Sequence, residues 1–223
     1  MNVTLEVTYS TTKGMRTTFH SEDMEAQQAI AIAEDFQRTG RLKQLVFRDE
    51  RGSQWTLKEL KKFLEEIKTE PHRLTVYFDG GFDLETRLSG LGCVIYYEQN
   101  NKSYRVRKNA TVASLTSNNE AEYAALYLAL HELAQLGAHH LPVTINGDSQ
   151  VVINQLSGEW ACAEDVLNRW ADRIDEKLAE LGLTPDYQVI PRKENREADQ
   201  LATQALNGQE ITSLSEVDRC DSD

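Results

Sequence analysis

Four acidic residues of this chain stand where a carboxylate could do chemistry: Asp79, Glu122, Asp148 and Asp199. Asp79 ends the apolar, aromatic run Val76-Tyr77-Phe78 and is followed by Gly80 and Gly81. Alone, it reads as the stop signal of a strand. Glu122 borders the wholly apolar run from Tyr123 to Leu130, where a carboxylate is costly unless it is paired or bound to a metal. Asp148 follows the short run Val143-Thr144-Ile145 and precedes a helix, so capping explains it. The space beyond the carboxyl end of a strand is, however, also where ligands bind in α/β sheets. Asp199 lies in the first turns of a final helix, with Asn195 four residues earlier on the same face and Ala198, Leu201 and Ala202 beside it. Brought together, these four side chains would form an oxygen-only site for a hard divalent cation. Kept apart, they are four ordinary turns and helix ends.

The elements that must position them follow from pattern. Residues 74–78, 90–97 and 102–112 read as three strands with short links, an antiparallel meander. Residues 121–136 form a strong helix closed by Gly137, apolar on every face through its middle and therefore buried. A short strand at 143–145, helices at 149–156 and 163–181, a strand at 187–190 and a helix at 194–206 complete an α/β unit with a mixed five-stranded sheet covered by helices. Upstream, Val3, Leu5, Val7 and Tyr9 alternate with polar residues as a half-buried strand does. Lys13-Gly14 marks a hairpin turn into a second strand. Ser21, with Glu22 and Asp23, is expected to cap a helix running to Arg38, with Ile30, Ala33 and Phe36 inward. A strand at 42–47 follows, and Thr56-Leu57-Lys58-Glu59 is a capping-box pattern opening another helix. The expected organisation is a small ββαβα domain over 1–67, a linker at 68–73, a larger domain over 74–206 and an acidic, disordered tail at 207–223.

The net charge of −12 argues against a broad, non-specific grip on nucleic acid, and residues 72–205 carry 19 acidic against 12 basic side chains. Three cysteines, Cys93, Cys162 and Cys220, lack C-x-x-C spacing, so neither a disulfide framework nor a zinc site is expected. With no apolar stretch near the ~20 residues of a membrane helix and no basic, apolar start, a reduced, cytoplasmic setting is expected.

Four blocks together resemble type 1 ribonuclease H, in the compact branch labelled reverse-transcriptase-like. They are Tyr77-Phe78-Asp79-Gly80-Gly81, Ser117-Asn118-Asn119-Glu120-Ala121-Glu122, Gly147-Asp148-Ser149-Gln150 and Asn195-Arg196-Glu197-Ala198-Asp199-Gln200-Leu201-Ala202. The resemblance covers residues 74–206 and implies that Asp79, Glu122, Asp148 and Asp199 are metal-binding, catalytic carboxylates. It implies two Mg²⁺ ions with substrate, or Mn²⁺ in their place, and cleavage of the RNA strand of an RNA–DNA hybrid. It places Ser117, Asn118, Asn119 and Asn195 near the nucleic acid or the last acid, with Arg192 as a phosphate contact. Gly80, Gly81 and Gly90 would let the backbone approach a sugar–phosphate.

The basic, tryptophan-rich protrusion that other members carry is absent. Gly158-Glu159-Trp160-Ala161-Cys162-Ala163-Glu164-Asp165 stands there instead, and Asp83 and Glu85 lie where a phosphate backbone should pass. Two alternatives to the nuclease therefore stay open: a module of the same fold that binds nucleic acid or a protein partner without turnover, and an enzyme acting on other RNA such as single strands. Arg38, Arg41, Lys43, Arg48 and Arg51, with Phe47 and Trp55, make the first domain a candidate contact surface, against the alternative of a solvated edge over a core tryptophan.

Overall fold

Alternating apolar residues build the first sheet. The computed structural model describes residues 1–218, apart from the side chains of residues 66 and 67, and divides into two units, Met1–Ile67 and Lys68–Asp223. In the first, β1 (Asn2–Ser10) turns Val3, Leu5 and Val7 inward, all essentially inaccessible. It pairs antiparallel with β2 (Arg16–His20), with the two-residue β3 (Met24–Glu25) and with β4 (Leu42–Asp49), and β4 carries β5 (Gln54–Trp55). Helices α1 (Ala26–Arg38) and α2 (Leu57–Thr69) close over Val3, Leu5 and Phe47 through Ala29, Ala33 and Leu60.

Two local expectations separate here. Thr56 and Glu59 do form the capping box: the Thr56 N–H and hydroxyl donate to Glu59 Oε2 at 2.9 and 2.8 Å, and the Glu59 N–H donates to Thr56 Oγ1 at 3.2 Å. Ser21 caps no helix; its oxygen accepts from Leu5 N at 2.8 Å, and α1 begins at Ala26 with no side-chain cap. A serine cannot serve a helix end and a sheet edge at once, and β1 takes it. The expected aromatic face also fails at Phe47, which is wholly buried, while Trp55 donates its indole N–H to Asp49 at 3.0 Å.

The second unit is a six-stranded mixed sheet among the described residues, in the order β10-β9-β6-β7-β8-β11, flanked by helices. Strands β6 (His72–Phe82), β7 (Ser89–Gln99) and β8 (Lys102–Val112) form the antiparallel meander. After α3 (Asn118–Gln135), β9 (Pro142–Gly147) returns parallel to β6. After α4 (Gln150–Leu156) and α5 (Asp165–Leu181), β10 (Thr184–Val189) lies parallel to β9. Leu74, Val76, Phe78, Cys93 and Ile95 share one parity and pack with Tyr123, Leu126 and Leu130 of α3. The opposite parity receives α6 (Arg196–Leu206), because a Cβ on Gly90 would lie 2.1 Å from the Ala202 carbonyl oxygen.

The tail corrects the expectation most. Residues 212–217 are not disordered but form β11 (Thr212–Val217), antiparallel to β8 from Thr212↔Lys108 to Val217↔Ser103, which makes the sheet six-stranded rather than five-stranded. The Asn109 side chain clasps this return, donating to Leu201 O at 3.0 Å and Gln209 O at 2.8 Å and accepting from Ile211 N at 2.6 Å. An edge strand needs backbone partners more than apolar side chains, so composition hides it. The remainder of the expected tail, residues 219–223 with Cys220, lies outside the described residues. The expected linker is also shorter, since α2 runs through Thr69 and β6 starts at His72.

Candidate metal centre

Parallel pairing of β9 with β6 brings their carboxyl ends together, and it stops at Tyr77↔Asn146. Asp79 lies just beyond that point on β6, opposite Gly92 of β7, and Asp148 directly follows β9. Glu122 comes from the first turns of α3. That helix can lie this close because a Cβ on Gly80 would meet the Ala121 carbonyl carbon at 2.2 Å. Only glycine fits there, so Gly80 and Gly90 admit helix backbones, and Gly80 also lines the cavity.

Ligand oxygens of Asp79, Glu122 and Asp148 all lie within 4.8 Å of one another. They line a cavity of about 300 Å³ together with Gly80, Gly81, Asn118, Asn119, Ser149, Arg192, Asp199 and Thr203. Asp199 thus faces the same cavity, but its Oδ1 takes Arg192 Nη2 at 2.7 Å. Burial first, then the charges of Asp148 and Asp199, push the Asp79 carboxyl up to about 7 despite Arg192. Burial, then Asp79 and Asp148, push Glu122 up to about 8. Glu122 is 6% exposed, and its Oε2 has no hydrogen-bond partner among the described residues.

Those facts decide what the site fits. Carboxylates this close resist joint ionisation unless a cation joins them. The converging donors are all oxygen, which suits Mg²⁺ or Mn²⁺ rather than a soft metal. The orphaned Glu122 oxygen is the group such an ion would satisfy.

The remaining expected residues divide. Ser117 caps α3, accepting from Glu120 N at 3.2 Å. Glu120 turns away from the cavity, its carboxylate accepting from Thr116 N at 2.8 Å and Trp170 Nε1 at 3.1 Å. Asn118 lines the cavity while its Oδ1 accepts from Phe82 N at 3.2 Å. Asn195 is 1% exposed, so it is no surface contact for nucleic acid; its amide nitrogen donates to Phe78 O at 2.9 Å and Asp148 Oδ1 at 3.0 Å. Arg192 stays largely exposed. Asp83 does not face the cavity as a bare charge: its Oδ1 accepts from Glu85 N at 2.8 Å and holds its own turn. Trp160 is 48% exposed and serves no core.

Ser149 and Thr203 line the cavity without having been singled out. Thr203 was within reach of the pattern, since Asn195, Asp199 and Thr203 recur every four residues on one face of α6. A larger recess, about 1070 Å³, opens on the α6 side of the sheet beside Tyr77, Tyr96, Arg105 and Glu197. Its two arginines pair with two of its acids, Arg105 with Glu197 at 3.1 Å and Arg73 with Glu98 at 3.0 Å, while Glu194 and Asp218 also line it. Unlike the smaller cavity, it holds no three acids close enough to share an ion among the described residues.

Comparison with known proteins agrees with this geometry. The family model described as "Reverse transcriptase-like" matches residues 77–205. The Bacillus subtilis (strain 168) protein YpeP, itself uncharacterized, is 50% identical over 202 residues, covering 90% of this chain and 89% of that one. The match is longer than the second unit, so it extends into the first. Ribonuclease HI of Halobacterium salinarum is 31% identical over 137 residues, or 60% of this chain and 65% of that one. The solved structure of LC11-RNase H1 in complex with an RNA/DNA hybrid is similar at a TM-score of 0.53 and 27% identity, covering 61% of this chain and 98% of that one.

Proposed function

The chain belongs to the reverse-transcriptase-like ribonuclease H family, and from that premise we propose that it is a divalent-metal-dependent endoribonuclease that cuts the RNA strand of RNA–DNA hybrids. The observation that carries this reading is the convergence of Asp79, Glu122 and Asp148 within 4.8 Å, with one Glu122 oxygen left unpaired. Asp79, Glu122 and Asp148 would hold Mg²⁺ or Mn²⁺, and Asp199 would join them once Arg192 releases it. Two such ions, when bound, supply a water activated near neutral pH and positive charge for the departing oxygen.

The chain's own groups do the rest. Arg192, exposed at the cavity rim, offers a guanidinium to a phosphate, which it can hold by two parallel hydrogen bonds. Asn118 and Asn119 present amides at the N-terminus of α3, where helix N–H groups favour an anionic backbone. Selectivity for RNA in the cut strand rests on the 2′-hydroxyl and A-like shape that a hybrid presents. In the reaction a water oxygen bonds to phosphorus, the bond to the 3′ oxygen breaks, and that oxygen takes up a proton. The products carry a 5′-phosphate and a 3′-hydroxyl.

One observation favours a second reading, binding without turnover: Arg192 is the single basic side chain lining the cavity among the described residues, beside four acids. End-labelled hybrid, duplex RNA and single-stranded RNA, each incubated with Mg²⁺ and with Mn²⁺, separate the possibilities. Hybrid cut to 3′-hydroxyl products supports the nuclease. Hybrid bound yet intact in both metals supports the module, and cutting confined to single strands changes the substrate class.

A further inference from the structure

We propose that Asn195 is the positioning residue of the metal centre, aiming the Asp148 carboxylate and locking together the three segments that carry Asp79, Asp148 and Asp199. The inference rests on the metal-centre reading above and concerns this chain's own residues. Asn195 is the N-cap residue of α6, and asparagine there normally turns its side chain back onto its own helix. In this chain it makes no such bond. Its amide nitrogen instead donates to Phe78 O at 2.9 Å and to Asp148 Oδ1 at 3.0 Å. Both partners are acceptors, so only the nitrogen can face them, and the orientation of the amide is not in question.

Each contact reaches a different carboxylate. Phe78 immediately precedes Asp79 on β6 and Asp148 is held directly, both by the side chain, while Asp199 lies one turn further along the helix that Asn195 opens, its N–H donating to the Asn195 backbone carbonyl at 3.1 Å as in any helix. With one Asp148 oxygen fixed, the carboxylate is held in place, with a ligand atom within 4.8 Å of those of Asp79 and Glu122, before any ion arrives. Preorganisation of this kind is how a residue outside the ligand set controls metal affinity. Burial to 1% exposure keeps water from competing for the two bonds. The side chain thus forgoes a local cap for a long-range tether, a sacrifice that marks functional rather than structural placement.

Serine separates the two roles, because it is as good an N-cap as asparagine but too short to reach both acceptors. The full-length chain and its Asn195→Ser and Asn195→Ala variants are titrated with Mn²⁺ alone, following free Mn²⁺ by electron paramagnetic resonance, and unfolded thermally in EDTA. Expected is a fall in Mn²⁺ affinity of about 10–100-fold in both variants, with Asn195→Ser unfolding in EDTA close to wild type. Mn²⁺ affinity within about threefold of wild type in either folded variant overturns the proposal, as does failure of both variants to fold, which would make Asn195 a structural tether only. Wild-type protein that binds no Mn²⁺ removes the metal-centre reading itself, and this inference with it.

Discussion

Asp49 and Asp79 both stand late in a strand, in different units, and their surroundings push them in opposite directions. Asp49 is held below the usual carboxylate range by the Trp55 indole N–H, with the Ser53 and Arg51 N–H groups helping. Glu59 is lowered in the same way by the Thr56 N–H and hydroxyl. In the second unit Asp79 and Glu122 rise to about 7 and about 8, because burial and neighbouring carboxylates outweigh every donor within reach. The inversion is local, since Asp83 in the same unit is lowered by the N–H groups of its own turn. A chain that only needed to fold would give each acid a donor. Asp175 is raised too, by burial and Asp172, but among the described residues only Asp79, Glu122 and Asp148 converge on one point, and that convergence creates the demand for a cation.

The sharpest way to break this contrast is to neutralise one acid on each side of it. Asp79→Asn is expected to lower Mg²⁺-dependent hybrid cleavage by at least ~100-fold while the protein stays folded. Asp49→Asn should leave cleavage unchanged and lower the urea midpoint only slightly, because an amide oxygen still accepts from the Trp55, Ser53 and Arg51 N–H groups, though more weakly than a carboxylate. Equal loss of cleavage in both variants would remove the distinction between the two units.

A second prediction concerns pH. Without metal, the folded protein keeps protons on Asp79 and Glu122 that the unfolded chain releases near the ordinary carboxylate values of 3.8 and 4.5. The native state therefore binds more protons between about pH 4 and 8, and stability falls as pH rises through that window. Urea denaturation in EDTA at pH 5 and pH 8 should show a loss on the order of a few kcal/mol. Mg²⁺ should restore much of it at the higher pH, and Asp79→Asn should flatten the slope. A slope unchanged in Asp79→Asn would mean that other groups govern it.

The glycines carry the last contrast, and its Gly14 half is the smallest effect. Gly80→Ala drives a methyl into the α3 backbone and is expected to cost about 3 kcal/mol or more. Gly14→Ala, at a turn with φ +83° and nothing within 4 Å, should cost about 1 kcal/mol through backbone strain alone. Chemical denaturation of both variants ranks the two units by how closely their backbones are packed.

Much of this was legible in residue order. Apolar runs with short links marked β6 to β8, an all-round apolar middle closed by Gly137 marked α3, and the Thr56–Glu59 box marked its helix, because each signal is local. Ser21 was expected to cap a helix, Gly80 to admit a sugar–phosphate and Asn195 to lie near the nucleic acid or the last acid, and for each the structure adds a partner distant in sequence. For Ser21 that partner is Leu5, for Gly80 it is Ala121, and for Asn195 it is Asp148. The strand at Thr212–Val217 escaped notice because its register comes from β8 and the Asn109 clasp rather than from its own side chains.

By itself, the order of residues determined most of the elements, the family and the four acids to watch, since strand and helix periods and motif spacing are properties of the chain alone. Only the tertiary structure decided that three of those acids meet within 4.8 Å, that Arg192 holds the fourth, and that Asn195 is buried behind them. Distances between residues far apart in sequence are set by how closely helices settle on a sheet. Here that closeness depends on glycines whose partners no local pattern names.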